Sequence, residues 1–286
     1  MLFVAACGRV DFDGVKPASV GTSDALPALA DGFVPCTSFG AWSAPALVTE
    51  LNSPLDDWGA SITADGLAIY FQRDMNGMAT QMLVARRPDR ASAFGAPTEM
   101  PELEANMPGD PSVTSDELEM FFDQDDGSGK CVHRATRDSV TATWNTPTPV
   151  ASMCGTTKMA CPWVSADGLT LYVDDAATIG FASRATRSGD FPAPRTYVGL
   201  FTGISCPSVI GDALELYVDE ADLEVDTRAS TTVDFTAGPS AIATVNSAST
   251  ETDVSVTFDG LDLYFSSDRP GGAGGFDVYH STRACN

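Results

Sequence analysis

One pattern recurs five times along this chain, and no other feature constrains its fold as much. The first copy is Ser61-Ile62-Thr63-Ala64-Asp65-Gly66-Leu67-Ala68-Ile69-Tyr70-Phe71, and further copies occupy 112–122, 163–173, 208–218 and 255–265. The acidic turn residues Asp65, Asp116, Asp167, Asp212 and Asp259 are spaced by 51, 51, 45 and 47 residues. A fixed period of this length marks a stacked or ring-like array of one supersecondary unit. Each copy reads as a hairpin. A short apolar strand runs into Asp-Gly or a relative, which tolerates the positive φ of a tight turn. An alternating strand such as Leu261-Asp262-Leu263-Tyr264-Phe265 follows. A third strand ends in an arginine, expected to be Arg87, Arg137, Arg187, Arg228 and Arg283. A fourth is announced by an aromatic and a proline: Phe94 with Pro97, Trp144 with Pro147, Phe191 with Pro194, Phe235 with Pro239.

Four antiparallel strands per repeat make one propeller blade. The fifth repeat stops three residues after Arg283, before its fourth strand, while Trp42, Pro45, Val48 and Leu51-Asn52 reproduce the missing pattern ahead of the first repeat. The expectation is therefore an all-β, five-bladed β-propeller of four-stranded antiparallel blades, its last blade closed by the N-terminal strand. Closure removes the sheet edges that invite aggregation. Cysteine spacing fits. Cys36 and Cys285 fall where the two ends meet, Cys161 and Cys206 occupy equivalent positions six residues before their turn acids, and Cys131 and Cys154 lie at one end of the same hairpin. The expected disulfides are Cys36–Cys285, Cys161–Cys206 and Cys131–Cys154, one of fifteen pairings that six cysteines allow. Formed, they require an oxidising, extracytoplasmic compartment.

The seventh cysteine, Cys7, closes the string Val4-Ala5-Ala6-Cys7, which looks like a lipobox whose cysteine is lipidated. Only six residues precede it, fewer than a full signal needs, so the true start is expected upstream of Met1; the competing reading is a buried N-terminal strand. Residues 8–35 are rich in Ala, Pro, Ser, Gly and Asp without periodicity and read as a flexible tether. The expected organisation is thus a signal remnant at 1–7, a linker at 8–35 and the propeller at 36–286. With 16 Lys and Arg against 39 Asp and Glu, the formal charge is −23. That balance excludes a nucleic-acid partner and leaves a lipid anchor as the membrane contact. The expected location is the bacterial outer membrane or periplasm, or the medium.

The string Asp259-Gly260-Leu261-Asp262-Leu263-Tyr264-Phe265-Ser266-Ser267-Asp268-Arg269-Pro270-Gly271-Gly272, continuing to Gly274-Gly275-Phe276-Asp277-Val278-Tyr279, resembles the WD40-like propeller repeats called PD40, related to those of TolB. The fourth copy is degenerate, with Gly211-Asp212-Ala213 at its turn. The resemblance implies an envelope protein that binds a ligand or another protein and has no shared catalytic motif.

Six residues before the turn acids lie Gly59, Asp110, Cys161, Cys206 and Asp253, and two places earlier lie Asp57 and Glu251. These positions approach the central channel, where concave binding sites concentrate. Asp57, Trp58, Asp110, Trp163, Glu251 and Asp253 are the candidate ligand-binding residues, against the plainer reading of strand-end carboxylates capping backbone N–H groups. No cofactor is expected, save that a channel cation such as calcium fits the carboxylates. Five-bladed propellers also host glycosidases, which need two carboxyl groups roughly 5–10 Å apart, and Asp110 and Asp253 flank the first blade. The expectation is nonetheless a non-catalytic binding module whose partner is an envelope protein or a carbohydrate. The alternative is a glycosidase-like enzyme using the channel carboxylates, and convergence of those carboxylates on the channel separates the two. The loop 123–129 reads as an acidic hairpin loop: a calcium loop would carry Glu where Arg134 stands. Gly271-Gly272-Ala273-Gly274-Gly275 lacks the Lys-Ser/Thr of a phosphate loop. His133 and His280 stand alone, so a nucleophilic triad is not expected. The repeated arginines are expected to bond loop carbonyls or turn aspartates.

Overall fold

A computed structural model describes residues 36, 38–125, 127, 129–154, 159–176, 178–196, 205–235 and 238–286. Cys7 and the 8–35 tether lie outside them. Five four-stranded antiparallel sheets form five blades. Blade 1 is Asp56–Ile62, Ala68–Asp74, Thr80–Arg86 and Thr98–Glu99. Blade 2 is Gly109–Val113, Glu119–Asp125, Lys130–Thr136 and Thr148–Pro149. Blade 3 is Met159–Val164, Thr170–Asp175, Ile179–Ser183 and Arg195–Thr196. Blade 4 is Ser205–Val209, Glu215–Asp219, Leu223–Thr227 and Ser240–Ala241. Blade 5 is Glu251–Val256, Asp262–Ser267 and Asp277–Thr282, and its outer strand is Ala46–Leu47 from the other end of the chain.

The closure expected from Trp42 and Pro45 is observed. Ala46 pairs with His280 and Leu47 with Tyr279. Gly40 N–H donates to the Ala284 carbonyl at 2.9 Å and Ser43 N–H to that of Thr282 at 2.7 Å. All three disulfides are formed, with Cα–Cα distances of 5.4 Å for Cys36–Cys285, 4.6 Å for Cys131–Cys154 and 4.7 Å for Cys161–Cys206. Such bonds are compatible with an extracytoplasmic protein.

The hairpin turns follow from side-chain chemistry. Thr63 Oγ1 donates to Asp65 Oδ1 at 2.7 Å, and the same carboxylate accepts Leu67 N–H at 2.9 Å. Thr114 with Asp116, Ser165 with Asp167 and Thr257 with Asp259 repeat the arrangement. The next position is left-handed, which suits Gly66 at φ 74° and is taken by Glu117 and Ala213, both at 55°, in blades 2 and 4.

One expectation is corrected here. The structural arginine of blade 3 is Arg184, not Arg187. Nε of Arg87, Arg137, Arg184, Arg228 and Arg283 donates to a turn carbonyl at 2.5–2.8 Å. Arg184 directly follows the third strand, so Arg187 falls in the following turn and reaches Asp116 of blade 2 instead. With Arg184 in place, the arginine precedes its aromatic by seven residues in blades 1 to 4. Each guanidinium stacks on that ring, at 4.1–4.6 Å for Phe94, Trp144, Phe191 and Phe235. Arg283 stacks on Phe39 and Trp42 across the closure.

The core lies between blades rather than inside any one of them. Ile69 and Phe71 of blade 1 pack with Tyr264 and Val278 of blade 5, and Tyr70 packs with Met120 and Phe122 of blade 2. A second strand with both faces buried explains why Ile69-Tyr70-Phe71 and Phe121-Phe122 are apolar without alternation.

Candidate functional site: the channel carboxylates

Every inner strand slips register once. Trp58 pairs with Gln72 but Ser61 with Tyr70, and the same slip occurs between Gly109 and Ser112, Ala160 and Trp163, Ser205 and Ser208, and Thr252 and Ser255. Each slip is a β-bulge, which re-aims a side chain. Its first residue is left-handed in all five: Gly59 at φ 63°, Asp110 at 49°, Cys161 and Cys206 at 46°, Asp253 at 54°. A non-glycine residue there costs of order 1–3 kcal/mol and clusters at functional sites. Four of them ring one channel.

Asp110 and Asp253 come together with the Cys161–Cys206 disulfide, one oxygen or sulfur from each residue lying within 4.8 Å of the others. Asp110 Oδ2 touches Cys161 Sγ at 3.3 Å and Asp253 Oδ1 touches Cys206 Sγ at 3.5 Å. The cavity among them measures about 30 Å³, and Trp163 and Ser255 also line it. That is room for a water molecule.

Behind this ring stands a second one that the sequence reading missed. Gln72, Asp123, Asp174, Asp219 and Ser266 each follow their turn acid by seven residues and are buried. Gln72 accepts Asp110 N–H at 3.0 Å, Asp123 accepts Cys161 N–H at 3.3 Å, and Asp219 accepts Asp253 N–H at 2.6 Å. The second ring thus holds the bulges of the first from the neighbouring blade. Asp123 also takes Lys130 Nζ at 2.9 Å. This corrects the reading of 123–129 as a loop: Asp123, Gln124 and Asp125 belong to strand, and Asp123 is fully buried.

The electrostatics follow from crowding acids in a protein interior. Burial first, then the carboxylates of Asp123 and Asp253, push Asp110 well above the usual carboxylate range, and Lys130 opposes them. Burial and the Asp219 carboxylate raise Asp253 to about 6, against hydrogen bonds from Gly59 N–H, Thr252 and Ser266. For Lys130, burial favours the neutral amine, yet Asp110, Asp123 and Asp253 outweigh it and raise its pKa. Two adjacent carboxyls that resist ionising together share protons, so they titrate as a pair.

The other candidates are placed elsewhere. Asp57 accepts Ser53 N–H at 2.6 Å and Oγ at 2.7 Å, and pairs with Arg73 at 2.6 Å. Glu251 repeats the motif in blade 5 with Ser247 and Arg269. Both carboxylates pin the segment entering their blade. Trp58 stacks on Phe276 at 5.7 Å. Of the six candidates, Asp110, Trp163 and Asp253 meet in the channel. As a calcium site the donor set is thin: Asp253 already accepts Gly59 N–H and Thr252 Oγ1, and Asp123 and Asp219 are engaged by Lys130, Ser205 and Thr252. Calcium takes six to eight oxygens, and disulfide sulfurs add none.

No family model and no curated protein matches the chain. Among solved structures it is similar to a GH43_1 enzyme from Xanthomonas citri at 15% identity and TM-score 0.61, covering 84% of this chain and 91% of that one. It is similar to an exo-β-1,3-galactanase from Phanerochaete chrysosporium, at 12% identity and TM-score 0.54, covering 84% and 64%. A thermostable family-43 glycoside hydrolase gives 10%, 0.54, 83% and 92%. These neighbours overturn the expectation of a non-catalytic module, and with it the expectation that the chain is not an enzyme: structures that share its fold over most of its length include several glycoside hydrolases and an aldose sugar dehydrogenase, so the glycosidase-like alternative is the better supported reading. At such identities the likeness itself is one of fold.

Proposed function

We propose that this chain is an extracytoplasmic, glycosidase-like, carbohydrate-active enzyme whose reacting groups are Asp110 and Asp253. The observation that carries this reading is the pairing of two half-buried carboxyls of raised proton affinity beside a water-sized cavity, each held on a strained bulge. Hydrolysis of a glycosidic bond needs one carboxyl to protonate the leaving oxygen and, where the two stand as close as these, a second carboxylate that attacks the sugar and is then displaced by a water deprotonated by the first. Asp110, whose carboxyl is held protonated well above the usual range, suits the acid. Asp253, across blade 1 and ionised above about pH 6, is its partner. The sugar lies across the channel end, and the proton lost by water replaces the one given to the leaving group. Lipidation at Cys7, repeats of the PD40 kind and envelope location complete the proposal. A cation joining Asp110 and Asp253 would have to bring most of its oxygens from water or the sugar.

The test is hydrolysis of xylo-oligosaccharides, β-1,3-galacto-oligosaccharides and a panel of aryl glycosides. Turnover is expected to rise as pH rises through about 6, where Asp253 ionises, and Asp110→Asn and Asp253→Asn are each expected to lose about 100-fold or more. A correctly folded wild type that turns over no member of the panel, or variants as active as wild type, would end this reading.

A further inference from the structure

Successive blades meet along a seam where the structural arginine of one blade faces the aromatic at the centre of the preceding blade's second strand. A glutamate completes this contact at three seams. Between blades 2 and 3, Arg184 Nη2 pairs with Glu119 at 2.6 Å. Between blades 4 and 5, Arg283 Nη2 pairs with Glu215 at 2.6 Å, and Tyr217 OH donates to the same carboxylate at 2.7 Å. Between blades 1 and 2, Arg137 and Tyr70 both meet Glu117. At the seam between blades 3 and 4, where Thr170 holds the acid position, Arg228 bonds the carbonyls of Ala213 and Val233.

Between blades 5 and 1 an acid is present but falls short. Asp262 holds the position of Glu119, one methylene shorter. It pairs with Arg90 and, at 2.7 Å, with His280. Arg87 donates through Nε to Gly66 and through Nη1 to Arg90. Arg87 Nη2 and Tyr264 OH are both buried and lie against each other, with no carboxylate to complete the contact. A buried donor left short of an acceptor costs about 1–3 kcal/mol. Beside them opens a cavity of about 270 Å³ lined by Arg87, Arg90, Tyr264, His280, Phe94 and Glu50.

We propose that this cavity binds a small organic carboxylate, its oxygens meeting Arg87 Nη2 and Tyr264 OH where other seams place a glutamate, and its apolar body lying on Phe94. The charge around the cavity agrees. His280 touches the Asp262 carboxylate, yet burial and then the cations Arg87 and Arg90 lower its pKa to about 4. Two guanidiniums therefore outweigh the nearby acid at this spot. The site lies away from Asp110 and Asp253, so it stands or falls independently of the channel reading.

Isothermal titration of the intact protein at pH 7 with acetate and with benzoate, and with benzamide as the uncharged counterpart, tests it. Saturable binding of at least one acid and none of benzamide is expected. Asp262→Glu, which supplies the missing carboxylate from the chain, is expected to weaken that binding by about tenfold or more while melting no lower than wild type. Arg87→Gln is expected to weaken it by a similar factor. Absence of binding by both acids, equal binding of benzamide, or undiminished binding by either variant would overturn the proposal.

Discussion

The seam between blades 2 and 3 and the seam between blades 5 and 1 are built from the same parts and end in different states. In both, a structural arginine is followed three residues later by a second one, Arg184 with Arg187 and Arg87 with Arg90. In both, the second arginine reaches the turn acid of the preceding blade, Asp116 or Asp259. The difference is one methylene. Glu119 spans to Arg184, Arg187 and Arg134 and leaves no buried donor idle among them. Asp262 reaches Arg90 and His280, and Arg87 Nη2 is left facing Tyr264 without a carboxylate. A propeller seam is thus a polar lock whose fit depends on side-chain length, and a short acid turns a lock into a cavity.

Removing the arginine at each seam should break the comparison most visibly. Arg184→Met and Arg87→Met lose the same turn carbonyl bond and ring stack, but only the first leaves a buried Glu119 short of a partner. Urea denaturation should show a loss of about 3 kcal/mol for Arg184→Met and about 1 kcal/mol for Arg87→Met; equal losses would mean the two seams are energetically alike. Acidification comes next. The folded pKa of His280, about 4, lies below its ordinary 6.5, so its contribution is fully present above pH 6.5 and lost as pH falls toward 4. Allowing for its partial exposure, stability should drop by roughly 2 kcal/mol across that window. Arg134 occupies the equivalent position in blade 2, so His280→Arg, which removes the imidazole, should flatten the profile. Asp262→Glu should stabilise the 5–1 seam by about 1 kcal/mol, read as a raised melting temperature. Last, Tyr264→Phe deletes a buried hydroxyl that has no acceptor of its own and should stabilise the protein by up to about 1 kcal/mol.

Much of this molecule can be read from its residues because each blade is a local unit repeated. The turn acids, the closure by Trp42 and Pro45 and the three cysteine pairs follow from counting along one repeat and carrying the count to the next. The bulge ring was legible in the same way, since Gly59, Asp110, Cys161, Cys206 and Asp253 share one offset. The second ring has an equally fixed offset. It was hidden because Asp123 sits in an acidic stretch that reads as solvent-exposed loop, while in space that stretch is the inner end of a strand. Arg184 was masked by Arg187, a second arginine three residues on, which lies in the turn after the third strand. Asp57 and Glu251 matched a channel offset but carry the serine and arginine partners that hold a blade entrance. The cavity between blades 5 and 1 is not visible in any pattern, because it arises from side-chain reach across two blades at opposite ends of the sequence.

The bond between Cys36 and Cys285 spans 249 residues. It turns the folded body from a string into a loop with no free ends. In the chain-entropy account such a loop disfavours the denatured state by about 5 kcal/mol. It also changes how the body meets mechanical load. Tension between the two ends passes through one covalent bond, so the five sheets bear none of it, and the short pairing of Ala46–Leu47 on blade 5 cannot be peeled away first.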